Sequence, residues 1–172
     1  NALVDERDNV LFPEKIGGNY ALIRRPKNSD KKYSNPGICL SYSGDLKNWS
    51  EPKLIASPKE KWEELKIGAG APPIKTEKGW LLIYHGVDSN NIYRTGIMLL
   101  DLHNPQTIIA RGKDFIMEPQ AYYERFGLVI PDVIFPSAAV LHDGLLYIYY
   151  GCCDTCISVA TVKIEEIINY LI

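Results

Sequence analysis

The sequence predicts an all-β chain built as successive blades of a β-propeller, and three observations lead there. Tyrosine (11 residues) and glycine (13 residues) are frequent, isoleucine and valine are abundant, and turn signals break the chain often, which is the texture of many short strands. Three segments repeat one order: a proline-marked start, a short strand, a glycine turn and a strongly apolar second strand. Their glycine turns recur at a nearly fixed distance, 61 residues from Gly18 to Gly79 and 65 from Gly79 to Gly144. A period of that size carrying three or four strands each time is the signature of propeller blades.

The repeats run in order as follows. The first covers residues 12–25, Phe12 to Arg25, around Gly17-Gly18. The second covers residues 71–86, Ala71 to Gly86, around Lys78-Gly79. The third covers residues 135–151, Phe135 to Gly151, around Asp143-Gly144. Each reads as a β-hairpin in which the turn residues supply the positive φ that a tight connection needs. A further strand is expected after each hairpin, at residues 37–42, 95–100 and 157–162. The closing stretch Ile164 to Leu171 places apolar residues at helical spacing and predicts a short terminal helix.

The repeat implies a larger body. Propellers close with roughly four to eight blades of about four strands each, and 172 residues at this period hold fewer than three. An open arc leaves sheet faces and edges bare, so a complementary segment is expected to complete the ring. The domain reading is therefore one partial propeller domain over residues 1–172. The chain begins at Asn1, without Met and without the charged and apolar regions of a signal peptide, which suits a missing upstream part.

Composition narrows the function. Hydrophobic residues make up 46% and charged residues 23%, as in ordinary soluble globular proteins, and the net charge of −2 gives no general pull toward nucleic acid or an anionic membrane. No apolar run reaches the length of a membrane span. Affinity for an anion must come from a local cluster of basic side chains. Of the four cysteines, Cys153 and Cys156 have CxxC spacing, yet no second CxxC or histidine pair completes four ligands. The expectation is small apolar thiols on or beside a strand in a reducing cytoplasm, with no metal bound.

Candidate site residues follow from matched positions in the blades. Arg24, His85 and Tyr150 fall near the end of the second strand of their hairpins, with Arg25 beside the first. One such residue is ordinarily structural; three at equivalent places point to a common mouth. Lys66-Ile67-Gly68-Ala69-Gly70 reads as a loop before a strand whose glycines let backbone approach a ligand. It is no Walker loop, because the lysine precedes the glycines. With Arg24, Arg25 and His85 it offers an oxyanion site of two fork-shaped guanidinium groups and a point charge. Asp154, after the strand ending at Gly151, can cap a turn or accept from sugar hydroxyls. Tyr84, Tyr93, Phe135, Tyr149 and Tyr150 are candidate stacking walls, although most aromatics in such alternation are core.

These pieces match a known pattern. Phe12-Pro13-Glu14-Lys15-Ile16-Gly17-Gly18-Asn19-Tyr20, Arg25-Pro26, residues 41–49 (Ser41 to Trp49), Lys66 to Gly70, residues 80–87 (Trp80 to Val87), Leu99 to Leu102 and Tyr149 to Thr155 occur in order. The ordered set covers nearly the whole chain and resembles glycoside hydrolase family 130, the β-mannoside phosphorylases. The resemblance implies a five-bladed propeller and an inverting phosphorolysis that releases α-mannose 1-phosphate from β-1,4- or β-1,2-linked mannosides. It implies a phosphate-binding set at Arg25, Lys66 and His85, with Arg24 standing where many members have histidine. It implies mannose contact at Asp154, and sugar sites bordered by Tyr93 and Phe135. The family's general acid is an aspartate in the N-terminal half with no match here, so no catalytic residue is expected in this chain.

Phosphorolysis replaces the water and base of an inverting glycosidase by phosphate held on cations. Members that hydrolyse β-1,2-mannosides lack the cluster, so Arg25, Lys66 and His85 favour phosphorolysis. A β-mannoside hydrolase and a non-catalytic sugar-binding half-propeller are the alternatives. The expected partners are a β-mannoside oligosaccharide, inorganic phosphate as co-substrate in place of any cofactor, the N-terminal half of the propeller and, as an open option, further copies in a homo-oligomer.

Overall fold

In a computed structural model, residues 6–26 and 37–172 are described. They form three antiparallel sheets in chain order, the blades that the repeat predicts. Residues 1–5, the beginning of the opening stretch, lie outside the described part.

The first sheet has the order β1 (Glu6–Leu11), β2 (Tyr20–Pro26), β3 (Ile38–Ser43) and β4 (Lys53–Ala56). Its inner strand lies earlier than the repeat suggested. Residues Phe12 to Lys15 are turn and connection, Ile16 and Asn19 form an isolated bridge, and Glu6–Leu11 pairs with β2 instead. Pro13 lacks an amide donor, which suits the connection better than a ladder. The register of β1 against β2 shifts between Arg7 and Val10, and Asp8 within that bulge has φ 57°.

The second sheet has β5 (Lys66–Ala69) and β6 (Ile74–Thr76) one after the other along one edge of β7 (Gly79–Val87), followed by β8 (Tyr93–Leu100) and β9 (Ile108–Arg111). The stretch expected as a loop before a strand is thus itself a strand, with Gly68 opposite His85 in the ladder. The third sheet runs β10 (Ile134–His142), β11 (Leu145–Cys152) and β12 (Cys156–Lys163), and closes with helix α2 (Ile164–Leu171). A one-turn helix α1 (Tyr122–Arg125) precedes it.

Strand periodicity explains how the sheets stack. β7 is buried along its whole length because it lies in the middle sheet. Trp80, Leu82 and Tyr84 face the first sheet and meet Phe12, Ile23 and Leu40, whereas Leu81 and Ile83 face the third and meet Leu146 and Ile148. Alternation at period two divides one apolar run between two cores. The third sheet leaves its other face bare, with Val140 50%, Tyr149 39% and Val159 49% exposed, and β12 has β11 on one side alone among the described strands.

Hairpin turns follow the predicted chemistry. Gly17 and Gly18 have φ 55° and 83°, and Asp143 and Gly144 have φ 48° and 76°. In the second hairpin only Gly79 leaves the usual region. No described helix is long and apolar enough to cross a membrane.

Candidate functional site

The ends of β1, β2, β5, β7, β8 and β10 bring most of the expected site residues to one place. Arg25 Nε donates to Asp8 Oδ2 at 2.5 Å. The same oxygen lies 3.6 Å from His85 Nε2. Lys66 Nζ donates to Tyr93 Oη at 2.8 Å. The His85 ring stacks against Tyr93 with centroids 5.9 Å apart and lies 4.6 Å from Phe135. Arg25, Lys66 and His85 therefore converge from three strands of two sheets, with Asp8 among them.

Gly68 makes the approach possible. A Cβ on it would sit 2.0 Å from Asp8 Oδ2 and 2.7 Å from His85 Cε1, far inside contact distance. The glycine that the sequence suggested as a path for ligand to backbone instead admits two side chains to the strand surface.

Electrostatics fix the state of the imidazole. His85 is 1% exposed, and burial pulls its pKa down to about 4; the Asp8 carboxylate opposes that fall, while Arg25 and Lys66 reinforce it. Neutral imidazole has one donor and one acceptor nitrogen. Nδ1 is buried and has no hydrogen-bond partner among the described residues. A cavity of about 490 Å³ adjoins the cluster, lined by Asp8, Ala69, Gly70, Phe135 and Ser137 among others.

Arg24 goes elsewhere. Neighbours on a strand point to opposite faces; its guanidinium donates from Nε to Glu6 at 2.8 Å and from Nη1 to Ser41 Oγ at 3.3 Å, and Nη2 pairs with the second Glu6 oxygen. The two guanidinium groups do not share one pocket in this structure. Tyr150 is likewise internal, donating to Glu124 at 2.7 Å.

Asp154 is exposed at the tip of the β11–β12 turn, with φ 57°. Its neighbour Cys153 donates its backbone N–H to Val133, and Val133 bridges to Tyr93, so the turn stands at the Tyr93 end of the sheets. Cys153 is buried and its thiol donates to the Glu124 carbonyl at 2.9 Å. All four cysteines are free, and burial holds the thiols of Cys39 and Cys152 up at about 11. No group of three or more metal-ligating side chains is found among the described residues.

Asp8 and Glu6 were missed from sequence. The available signal was two carboxylates, Glu6 and Asp8, ahead of two consecutive arginines, but regular strand spacing puts both acids on one face, and only the bulge at Asp8 gives each guanidinium its own carboxylate.

The chain is similar to known proteins along its whole length. Residues 1–172 match the family model for glycoside hydrolase family 130, described as beta-1,4-mannooligosaccharide phosphorylase. A 1,2-beta-oligomannan phosphorylase of Thermoanaerobacter sp. is 44% identical over 94% of this chain and 52% of its own length. A beta-1,4-mannooligosaccharide phosphorylase of Ruminococcus albus is 39% identical over 96% of the chain and 50% of its own length. The solved structure of a beta-1,2-mannobiose phosphorylase from Listeria innocua, in complex with beta-1,2-mannobiose, superimposes with TM-score 0.88 at 38% identity, covering 97% of this chain and 47% of that one. The chain spans about half the length of the curated relatives it matches, and its three sheets are part of a five-bladed β-propeller. It belongs to glycoside hydrolase family 130.

Proposed function

We propose that the protein containing this chain carries out inverting phosphorolysis of β-1,4- or β-1,2-linked mannosides and releases α-mannose 1-phosphate. One observation carries the reading: Arg25, Lys66 and His85, far apart in sequence, meet around Asp8 beside an open cavity. A guanidinium and an ammonium at one mouth suit an oxyanion. The names of the relatives support phosphate as the co-substrate.

In this mechanism a phosphate oxygen attacks the anomeric carbon from the face opposite the leaving sugar, and the bond to the departing oxygen breaks as that oxygen takes a proton. Arg25, Lys66 and His85 hold the nucleophile where a hydrolase would hold water. Arg24 remains in the proposed set on sequence grounds alone, its guanidinium being engaged by Glu6 and Ser41. Asp154 accepts from mannose hydroxyls, and Tyr93 and Phe135 wall the sugar sites. The general acid comes from the remainder of the propeller, whose blades cover the bare face of the third sheet and the edge of β12. Residues 1–172 are then part of one larger domain, and the free thiols suit a cytoplasmic setting.

The test is to incubate the complete polypeptide with β-mannobiose, with and without phosphate. Mannose 1-phosphate formed only with phosphate supports the reading. Free mannose released regardless of phosphate identifies a hydrolase. Mannose binding by calorimetry without turnover identifies a sugar-binding propeller.

A further inference from the structure

His85 is buried, yet Nδ1 has no partner among the described residues. Leaving a buried polar atom unpaired forfeits its hydration without replacement, so such an atom calls for an explanation. The groups near the ring are Asp8 on β1, Arg25 on β2, Lys66 and Gly68 on β5, Tyr93 on β8 and Phe135 on β10, and Thr95 stands directly opposite His85 on β8 with its own hydroxyl buried and unpartnered among the described residues. Asp8 is the one carboxylate in this set, and it faces Nε2. The other nitrogen is the orphan.

We propose that Asp8 fixes His85 as the tautomer with its proton on Nε2, so that Nδ1 is a bare acceptor that selects hydrogen phosphate, through its P–OH, over anions such as sulfate that carry no proton. The inference rests on the phosphate reading of the site and names how that site chooses its ligand. A negative oxygen 3.6 Å from Nε2 stabilises an N–H on that side and disfavours a lone pair there. Asp8 is itself over-determined for the task. It sits in a bulge at φ 57°, holds Arg25 at 2.5 Å, and would collide with any side chain at position 68. Backbone strain of this kind persists where the surrounding structure enforces it, and it clusters at functional sites. Asp8 and Phe135, both neighbours of His85, also line the cavity. Burial pulls the imidazole pKa down to about 4, so near neutral pH no second ring proton satisfies Nδ1.

The ligand chemistry follows. Arg25 and Lys66 only donate, and they attract any oxyanion. Nδ1 only accepts. Hydrogen phosphate can both receive from the cations and donate its remaining proton to Nδ1. Sulfate would set a negative oxygen against the nitrogen lone pair. The distinction is one buried acceptor satisfied or left unpaired, about tenfold to a hundredfold in affinity.

The experiment uses the complete polypeptide. Calorimetry measures phosphate and sulfate binding, and nitrogen-15 NMR of histidine-labelled protein reads the tautomer. The expected results are a proton on Nε2 and sulfate bound at least about tenfold more weakly than phosphate. Asp8→Asn and His85→Ala should each shrink the ratio toward unity, with thermal melts reporting that the variants are folded. A second Asp8→Glu variant, keeping the carboxylate, should restore part of the ratio. A proton on Nδ1, equal binding of the two anions, or a ratio unchanged in both variants overturns the inference while leaving phosphorolysis standing. Absence of any phosphate binding in the unaltered protein defeats the phosphorolysis reading and this inference together.

Discussion

Lys66 Nζ donates to Tyr93 Oη at 2.8 Å, linking the first residue of β5 to the first residue of β8 across the end of β7. The bond aims a mobile ammonium at the mouth where Arg25 and His85 already stand. A lysine stem carries much rotamer freedom, and a fixed acceptor removes it before the ligand arrives. Tyr93→Phe should raise the phosphate KM by about tenfold, the scale of one hydrogen bond to a charged group. The ring remains, so the mannoside KM should move little. Steady-state kinetics with each substrate varied separately checks this; equal effects on both constants would show that Tyr93 does not act through Lys66.

Removing the charge itself should do more. Lys66→Ala deletes one charge-assisted contact to the anion and should weaken phosphate use by about tenfold to a hundredfold, leaving mannoside binding nearly unchanged. Arg25→Ala should match that loss and also destabilise the fold, because Asp8 is left buried without its 2.5 Å partner. Phosphate titrations and denaturant melts separate the two contributions. Parallel losses for phosphate and mannoside would remove these residues from the assigned role.

Gly68→Ala tests the packing behind the cluster. The new methyl would lie 2.0 Å from Asp8 Oδ2 and 2.7 Å from His85 Cε1, and Asp8 is pinned by Arg25. Overpacking of this kind costs about 1–3 kcal/mol. The melting temperature should fall and phosphate affinity should drop with it. Gly144→Ala, where no atom lies within 4 Å but φ is 76°, should lower stability while sparing phosphate affinity.

Stability should also depend on pH through His85. Its folded pKa lies at about 4, well below the 6.5 of an unfolded histidine, because burial excludes the charged ring. Between these values the unfolded chain binds a proton that the folded chain refuses. The contribution is therefore complete above about pH 6.5 and lost as pH falls toward 4. Urea midpoints measured from pH 7.5 down to pH 4.5 should decline, and His85→Gln should flatten part of that slope.

Glu63 supplies a stability test away from the site. It is fully buried and accepts from Arg111 Nη2 at 2.6 Å, Tyr84 Oη at 2.9 Å and the Lys59 amide at 2.9 Å. Glu63→Ala leaves Arg111 without its carboxylate, only the Tyr84 hydroxyl and the Ser57 carbonyl still accepting from it, and should cost about 3–5 kcal/mol in denaturant melts. Glu63→Gln should cost less, since its carbonyl still accepts.

How much of this was legible follows from what is local. The apolar run of β7, the Gly17-Gly18 and Asp143-Gly144 turns and the terminal helix depend on neighbouring residues, and they stand where the pattern placed them. Strand β1 was misplaced because Phe12-Pro13 marks the end of the inner strand in the first repeat, not its start. Two glycines in Lys66 to Gly70 signal a loop, yet Lys66–Ala69 is a strand in which Gly68 serves close packing instead. Arg24 and Arg25 looked like one anion clamp in a linear reading, yet strand alternation sends them to separate carboxylates.

The sequence by itself determined the blade repeat, the family and the cations available for an anion, since periodicity, turn chemistry and residue type are all written along the chain. The tertiary structure decided which cations meet and in what state. Asp8 reaches Arg25 and His85 only because a bulge turns it inward and Gly68 leaves room. Burial then makes His85 neutral and strands one of its nitrogens, because the dielectric and partners around a side chain come from strands distant in sequence and are set only when the sheets pack.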